Sequence, residues 1–240
     1  MDWTRHYDRI FCVHYAEYRD RFDHIERELD RIGVLSSGVF EWRVNYKNPF
    51  EQSLARRLGV PPCSFIGPLF IETKRIIAES LHKGYNRILV VQDDAAFLKD
   101  TRLLQEVVEA APEASNVVQF DKRLDGIRRR IENWRMLAGA RRFNKHFVRA
   151  DGYVFWGVAC YSLTREGMRR LDDVMARDLI NEDACFSQVP NYAVAITNLC
   201  IQGEFEASEK RRHGYAAGRD AEELRLLGLR REDYADIHEC

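Results

Sequence analysis

Apolar and polar positions alternate along the first half of this chain between two periods. Ile10 to His14 is a short unbroken apolar run of strand type, and Tyr18, Phe22, Ile25, Leu29 and Ile32 then recur at helical spacing up to Gly33. Val39 to Val44 reads as a second strand. Asn48-Pro49 and Pro61-Pro62 punctuate loops, and Leu69, Thr73, Ile76, Ile77 and Leu81 mark a helix that stops before Gly84. Ile88 to Val91 is the next strand, Leu103, Leu104, Val107 and Val108 mark a helix, and Asn116 to Phe120 is a strand ending at Asp121. Strand and helix in regular alternation predict a parallel sheet covered by helices.

The rhythm breaks between Lys122 and Arg149, where ten Lys or Arg residues face only Asp125 and Glu132, with Trp134 and Phe143 interleaved. This stretch reads as an insertion. Beyond it, Tyr153 to Leu163 is strand-like and aromatic. Thr164 is placed to cap a helix carrying Met168, Leu171, Val174 and Met175, and Ala193 to Leu199 offers a last strand. A polar tail follows.

The chemistry concentrates where the third strand ends. Ile88-Leu89-Val90-Val91 has the composition of a strand buried on both faces, and Asp93-Asp94 sits where the chain leaves the sheet. In open α/β sheets ligands bind at that end. Adjacent carboxylates repel, and a divalent cation held by hard oxygen ligands, Mg or Mn, is the usual compensation. A cation invites a phosphorylated substrate. An acidic pair after a strand also describes a solvated turn or a helix N-cap.

Composition narrows the class without choosing the reaction. With 240 residues, 45% hydrophobic and 31% charged, the chain can bury a sizeable core. Met1 to Ile10 has no basic start followed by an apolar secretory core, and no apolar run reaches membrane-spanning length, so a cytoplasmic protein is expected. The formal charge of −1 predicts no global attraction to nucleic acid. Six cysteines include no C-x-x-C pair and read as reduced and structural.

Read in order, these elements resemble the lipopolysaccharide-type glycosyltransferases of family 25 and the wider GT-A class of nucleotide-sugar transferases. Three blocks carry the resemblance: Val13 to Gly33 with Arg19 and Arg21, Leu69 to Ala95 with its terminal Asp93-Asp94, and Trp156-Gly157 through Val174 with Asp183 beyond. The resemblance implies an α/β fold, GT-A-like and Rossmann-related, with a mixed, mostly parallel sheet flanked by helices. Residues 1–240 would form a single domain, with a basic acceptor-side insertion at about 122–149 and a C-terminal tail from about 204. It further implies a metal-dependent transfer, with Mn or Mg, of a sugar from a nucleotide-sugar donor such as a UDP-sugar to an acceptor hydroxyl. Asp94 would be a metal ligand, and Asp93 would hold the donor ribose or steady the metal's surroundings. His213 would add a nitrogen ligand, although a surface histidine is the commoner reading of such a residue, and His14 would lie on the donor side.

Other roles follow from charge and reach. Arg19 and Arg21 suit donor phosphates, although solvated helix positions are the default reading of such residues. Inverting transfer needs a carboxylate base beside the acceptor hydroxyl; Asp183 is the candidate and Glu182 the substitute, although Asn181-Glu182-Asp183 also simply begins a helix. Trp156 with Arg128, Arg129, Arg141 and Arg142 suits an anionic glycan acceptor, or nucleic acid bearing a modified base, or no more than a half-buried strand and a solvated basic face. A signalling receiver domain would begin with the acidic strand, whereas two βα units precede it here. A nonenzymatic nucleotide-sugar or phosphate-binding module remains the reading from another class.

Overall fold

The computed structural model describes residues 1–45, 66–122, 139–155, 157–177, 182–202 and 233. The expected α/β architecture forms. Strands β1 (Arg9–Tyr15), β2 (Phe40–Asn45), β3 (Arg87–Gln92), β5 (Val117–Gln119), β6 (Phe147–Arg149), β7 (Cys160–Thr164) and β8 (Tyr192–Ala195) make one sheet in the order β2-β1-β3-β7-β5-β8-β6. β1 is parallel to β2 and β3, and β5 is parallel to β8. β7 is antiparallel to both its neighbours, and β6 is antiparallel to β8. Five strands therefore run one way and two the other. A second, two-stranded antiparallel sheet pairs β4 (Ala95–Phe97) with β9 (Cys200–Gln202).

Period-2 geometry explains why β1 and β3 are apolar without interruption. Successive residues point to opposite faces, and both faces are covered. Phe11, Val13, Ile88 and Val90 pack with Phe70, Ile76 and Ile77 of helix α2 (Ile66–Lys83), together with Met168 and Leu171 of α4 (Arg165–Arg177). Ile10, Cys12, Leu89 and Val91 pack with Ile25 and Leu29 of α1 (Arg19–Arg31), together with Leu104 and Val107 of α3 (Thr101–Glu109). The helix starts follow local capping chemistry: Asp100 accepts from the amides of Arg102 and Leu103 at 2.9 and 3.1 Å, and Thr164 Oγ1 accepts from the Gly167 amide at 3.1 Å.

Three expectations change. The strand read over Tyr153 to Leu163 is regular only from Cys160. Gly157 takes φ +104°, outside the extended region, and the buried Gln119 amide donates to the carbonyls of Phe155 and Gly157, fixing an irregular approach. The last strand of the main sheet is Tyr192–Ala195, and the chain then turns to supply β9. Both ends of the stretch expected as a basic insertion are built into the sheet region. Lys122 is 2% exposed and donates to the carbonyls of Ala195 and Ile196 and to Asn198 Oδ1, while Phe147–Arg149 is a strand of the sheet itself. Positions 123–138 between them lie outside the described residues. Among the described residues no helix is long and apolar enough to cross a membrane.

Candidate functional site

β1 and β3 are adjacent and parallel, so their carboxyl ends open at the same edge of the sheet. The Asp93 amide continues the ladder by donating to the Val13 carbonyl at 3.0 Å, which carries Asp93 beside His14. Its carboxylate is then engaged on both oxygens. His14 Nδ1–H donates to Asp93 Oδ2 at 3.0 Å, and the Tyr15 amide donates to the same oxygen at 3.2 Å. A carboxylate only accepts, so Nδ1 of His14 carries the proton. Arg21 Nη1 donates to Asp93 Oδ1 at 3.1 Å and lies 3.9 Å from Asp94 Oδ2.

Arg21 is 6% exposed, and its guanidinium lies over the Tyr18 ring, 4.6 Å from the centroid. Burial works against its charge, but Asp94 and Asp93 outweigh burial and raise its pKa. The two buried carboxylates thus share one buried guanidinium. Compensation that the sequence assigns to a cation alone is partly internal.

The elements after the acidic pair are fixed from α1. His24 Nε2–H donates to the Ala95 carbonyl at 3.0 Å, and Glu28 Oε2 accepts from the Phe97 amide at 3.0 Å while Arg31 pairs with it at 2.8 Å. Helical spacing puts Arg21, His24 and Glu28 on one face of α1, and that face clamps β4.

A cavity of about 520 Å³ opens one strand over, at the end of β2. It is lined by Trp42, Arg43, Asn45, Glu72, Arg75 and Glu79, and register places Val44 and Asn45 beside His14 and Tyr15. Arg43 bridges Glu41 and Glu79, and Glu72 pairs with Arg75 at 3.3 Å. Asn45 is 4% exposed, and among the described residues its Nδ2 has no hydrogen-bond partner.

No family model matches the chain, and no curated protein matches it. Among solved structures, it is similar to mannose-1-phosphate geranyltransferase from Thermus thermophilus, with 14% identity, a TM-score of 0.42, and coverage of 81% of this chain and 75% of that one. A likeness of that size says nothing about residues or substrates.

Of the residues singled out in the sequence, the structure brings four together: His14, Arg21, Asp93 and Asp94. Arg19 opens α1 and is exposed. Arg141 and Arg142 are exposed on the strip that pairs with Val148 and Arg149, outside β6 at the far edge of the sheet. Four strand spacings separate β3 from β6, about 19 Å. Glu182 and Asp183 begin the short helix α5 (Glu182–Phe186), and their side chains lie outside the described set, as do residues Arg128, Arg129, Trp156 and His213. Asp121 is a clamp within the sheet: its two oxygens accept from the amides of Ala159 and Cys160, both at 3.1 Å. Among the described residues no group of three or more His, Cys, Asp or Glu is placed to hold a metal ion. Asn45, Glu72 and Arg75 escaped the sequence reading, since nothing local marks them as sharing a cavity.

Proposed function

We propose that this chain is a glycosyltransferase of the cytoplasm, a single domain that moves a sugar from a nucleotide-sugar donor to an acceptor hydroxyl with inversion and with Mn or Mg. The observation that supports this reading is the cluster of His14, Asp93 and Arg21 beside Asp94, at the carboxyl ends of two adjacent parallel strands. Among the described residues no group of three or more ligating side chains is placed for a dication, so in this reading the donor diphosphate supplies most of its shell. In this reading Asp94 is the ligand, and Asp93, whose oxygens accept from His14, the Tyr15 amide and Arg21, acts beside it. Mg and Mn sites that use one or two carboxylates and complete themselves with substrate phosphates have this character. When bound, the ion stabilises negative charge on the leaving diphosphate. His213 is the further ligand in this reading.

The chain's own residues do the rest. The β2-end cavity receives the nucleoside, with Asn45 Nδ2 donating to the base or sugar and Arg75 at its mouth. Arg19, at the exposed start of α1, meets the donor phosphates. Asp183, or Glu182 in its place, accepts the proton of the attacking hydroxyl on the sugar face opposite the leaving group. Trp156 and the arginines Arg128, Arg129, Arg141 and Arg142 hold an anionic glycan acceptor. Nucleoside diphosphate release from a panel of nucleotide sugars with Mn tests the reading. Release that needs Asp94 supports it; binding of a nucleotide sugar with no turnover points to a binding module instead.

A further inference from the structure

We infer that Gln119 is a positioning residue for the acceptor, fixing from inside the sheet the main chain that borders the carboxylate pair, an inference that rests on the glycosyltransferase reading above. Gln119 ends β5 and is 0% exposed. Alternation puts it on the face of Val117, whose apolar cluster holds Phe155, Tyr161, Phe186 and Tyr192. An amide in such surroundings is costly unless its bonds are made. Nε2 donates to the Phe155 carbonyl at 3.3 Å and to the Gly157 carbonyl, and Oε1 accepts from the Tyr192 hydroxyl. Carbonyls only accept, so the amide has a single orientation and Tyr192 is its donor.

Phe155 and Gly157 precede β7, and Gln119 gives their carbonyls a buried partner that no strand ladder supplies. Just beyond them Asp121 accepts from the amides of Ala159 and Cys160, and the Ala159 carbonyl accepts from the Gln92 amide at 2.8 Å. β7 is antiparallel to β3, so the residues before Ala159 lie at the end of the sheet where Asp93 and Asp94 leave β3. The donor groups His14 and Asn45 belong to β1 and β2, on one flank of β3, and this segment borders the other flank, as the acceptor must. A hydroxyl aligned for attack tolerates little displacement, since an error of about 1 Å costs about a hundredfold in rate.

The test is nucleoside diphosphate release by the full chain, with Mn and the donor it turns over, as a heparin tetrasaccharide is raised to saturation. Tyr192→Phe removes only the hydroxyl that orients Gln119, and Gln119→Met replaces the amide by an apolar chain of similar length. Each variant is expected to raise the KM for the tetrasaccharide at least about tenfold while its KM for the donor stays within about twofold of wild type. Melting temperatures are taken on the same samples. A lowered melting temperature with both KM values at the wild-type level, or an equal rise in both, gives Gln119 a structural role alone and overturns the inference while leaving the glycosyltransferase reading standing. Wild-type turnover that the tetrasaccharide does not stimulate overturns the anionic acceptor and the inference with it, and no turnover of any donor overturns the glycosyltransferase reading itself. Tyr192→Phe decides alone if Gln119→Met does not fold.

Discussion

Asp93→Ala removes the group on which the site is assembled, and its cost can be worked from the contacts. Asp93 is 3% exposed and accepts three hydrogen bonds: from His14 at 3.0 Å, the Tyr15 amide at 3.2 Å and Arg21 at 3.1 Å. Deleting one partner of a buried ion pair costs about 3–5 kcal/mol when the other charge stays desolvated and unpaired, and Asp94, 3.9 Å from Arg21, keeps part of that compensation here. The donors of His14 and Tyr15 would each add about 1–3 kcal/mol if they acted independently. They share one carboxylate, so the terms do not sum, and water entering the space left by the side chain offsets part of them. A loss of about 4 kcal/mol results, a large fraction of the roughly 5–15 kcal/mol that holds an ordinary domain together. At a urea slope of about 3 kcal/mol per molar, the unfolding midpoint falls by more than about 1 M. Equilibrium unfolding followed by tryptophan fluorescence and circular dichroism measures it. In a cycle with Arg21→Met and Asp93→Asn, the double variant should lose less than the two single variants combined by at least about 1.5 kcal/mol. A midpoint within experimental scatter of wild type for Asp93→Ala, or strict additivity in the cycle, would show that this carboxylate does not anchor the cluster.

Two further predictions concern the scaffold. Gly167, in the first turn of α4, approaches the backbone of residue 116 so closely that an added Cβ would sit 1.9 Å from the Asn116 carbonyl oxygen. Helix propensity alone favours Ala there by about 1 kcal/mol, yet Gly167→Ala should lower the melting temperature, since overpacking costs about 1–3 kcal/mol; an unchanged or higher melting temperature contradicts the packing. His24 is 2% exposed, and burial pulls its pKa below the ordinary 6.5, only partly offset by its bond to the Ala95 carbonyl. Below pH 6.5 the unfolded chain takes up a proton that the native chain refuses, so stability falls as pH drops through that value and levels off beneath the folded pKa. Urea midpoints measured from pH 8 to 5 should show that decline and should flatten in His24→Gln, whose amide can still donate to Ala95; an identical decline in the variant removes His24 as its source.

The part of the site that was legible is the part written in short apolar runs. β1 and β3 are unbroken because both their faces are covered, so the polar residues that end them, His14 and the acidic pair, declare themselves as sheet-edge chemistry. Arg19 and Arg21 are equivalent on composition. Two residues of helix separate them by about 200°, and only the fold shows which one turns inward. Lys122 looked like the first residue of a basic patch, yet its acceptors lie 73, 74 and 76 positions away. The antiparallel β7 between β3 and β5 is equally nonlocal: alternation predicts strands and helices, but not that a strand from residue 160 onward slots between two earlier ones. β4 and β9 have three residues each, too short for a period to register.

Whether the carboxylate pair serves a donor diphosphate is decided by nucleoside diphosphate release from the wild type, Asp94→Ala and Asp183→Ala, each incubated with a panel of nucleotide sugars, Mn and acceptor. Release is expected from the wild type with at least one donor and should be lost in Asp94→Ala. In Asp183→Ala transfer should fall while the same donor still binds. Release by Asp94→Ala at the wild-type rate would contradict the assignment of the pair to the donor diphosphate.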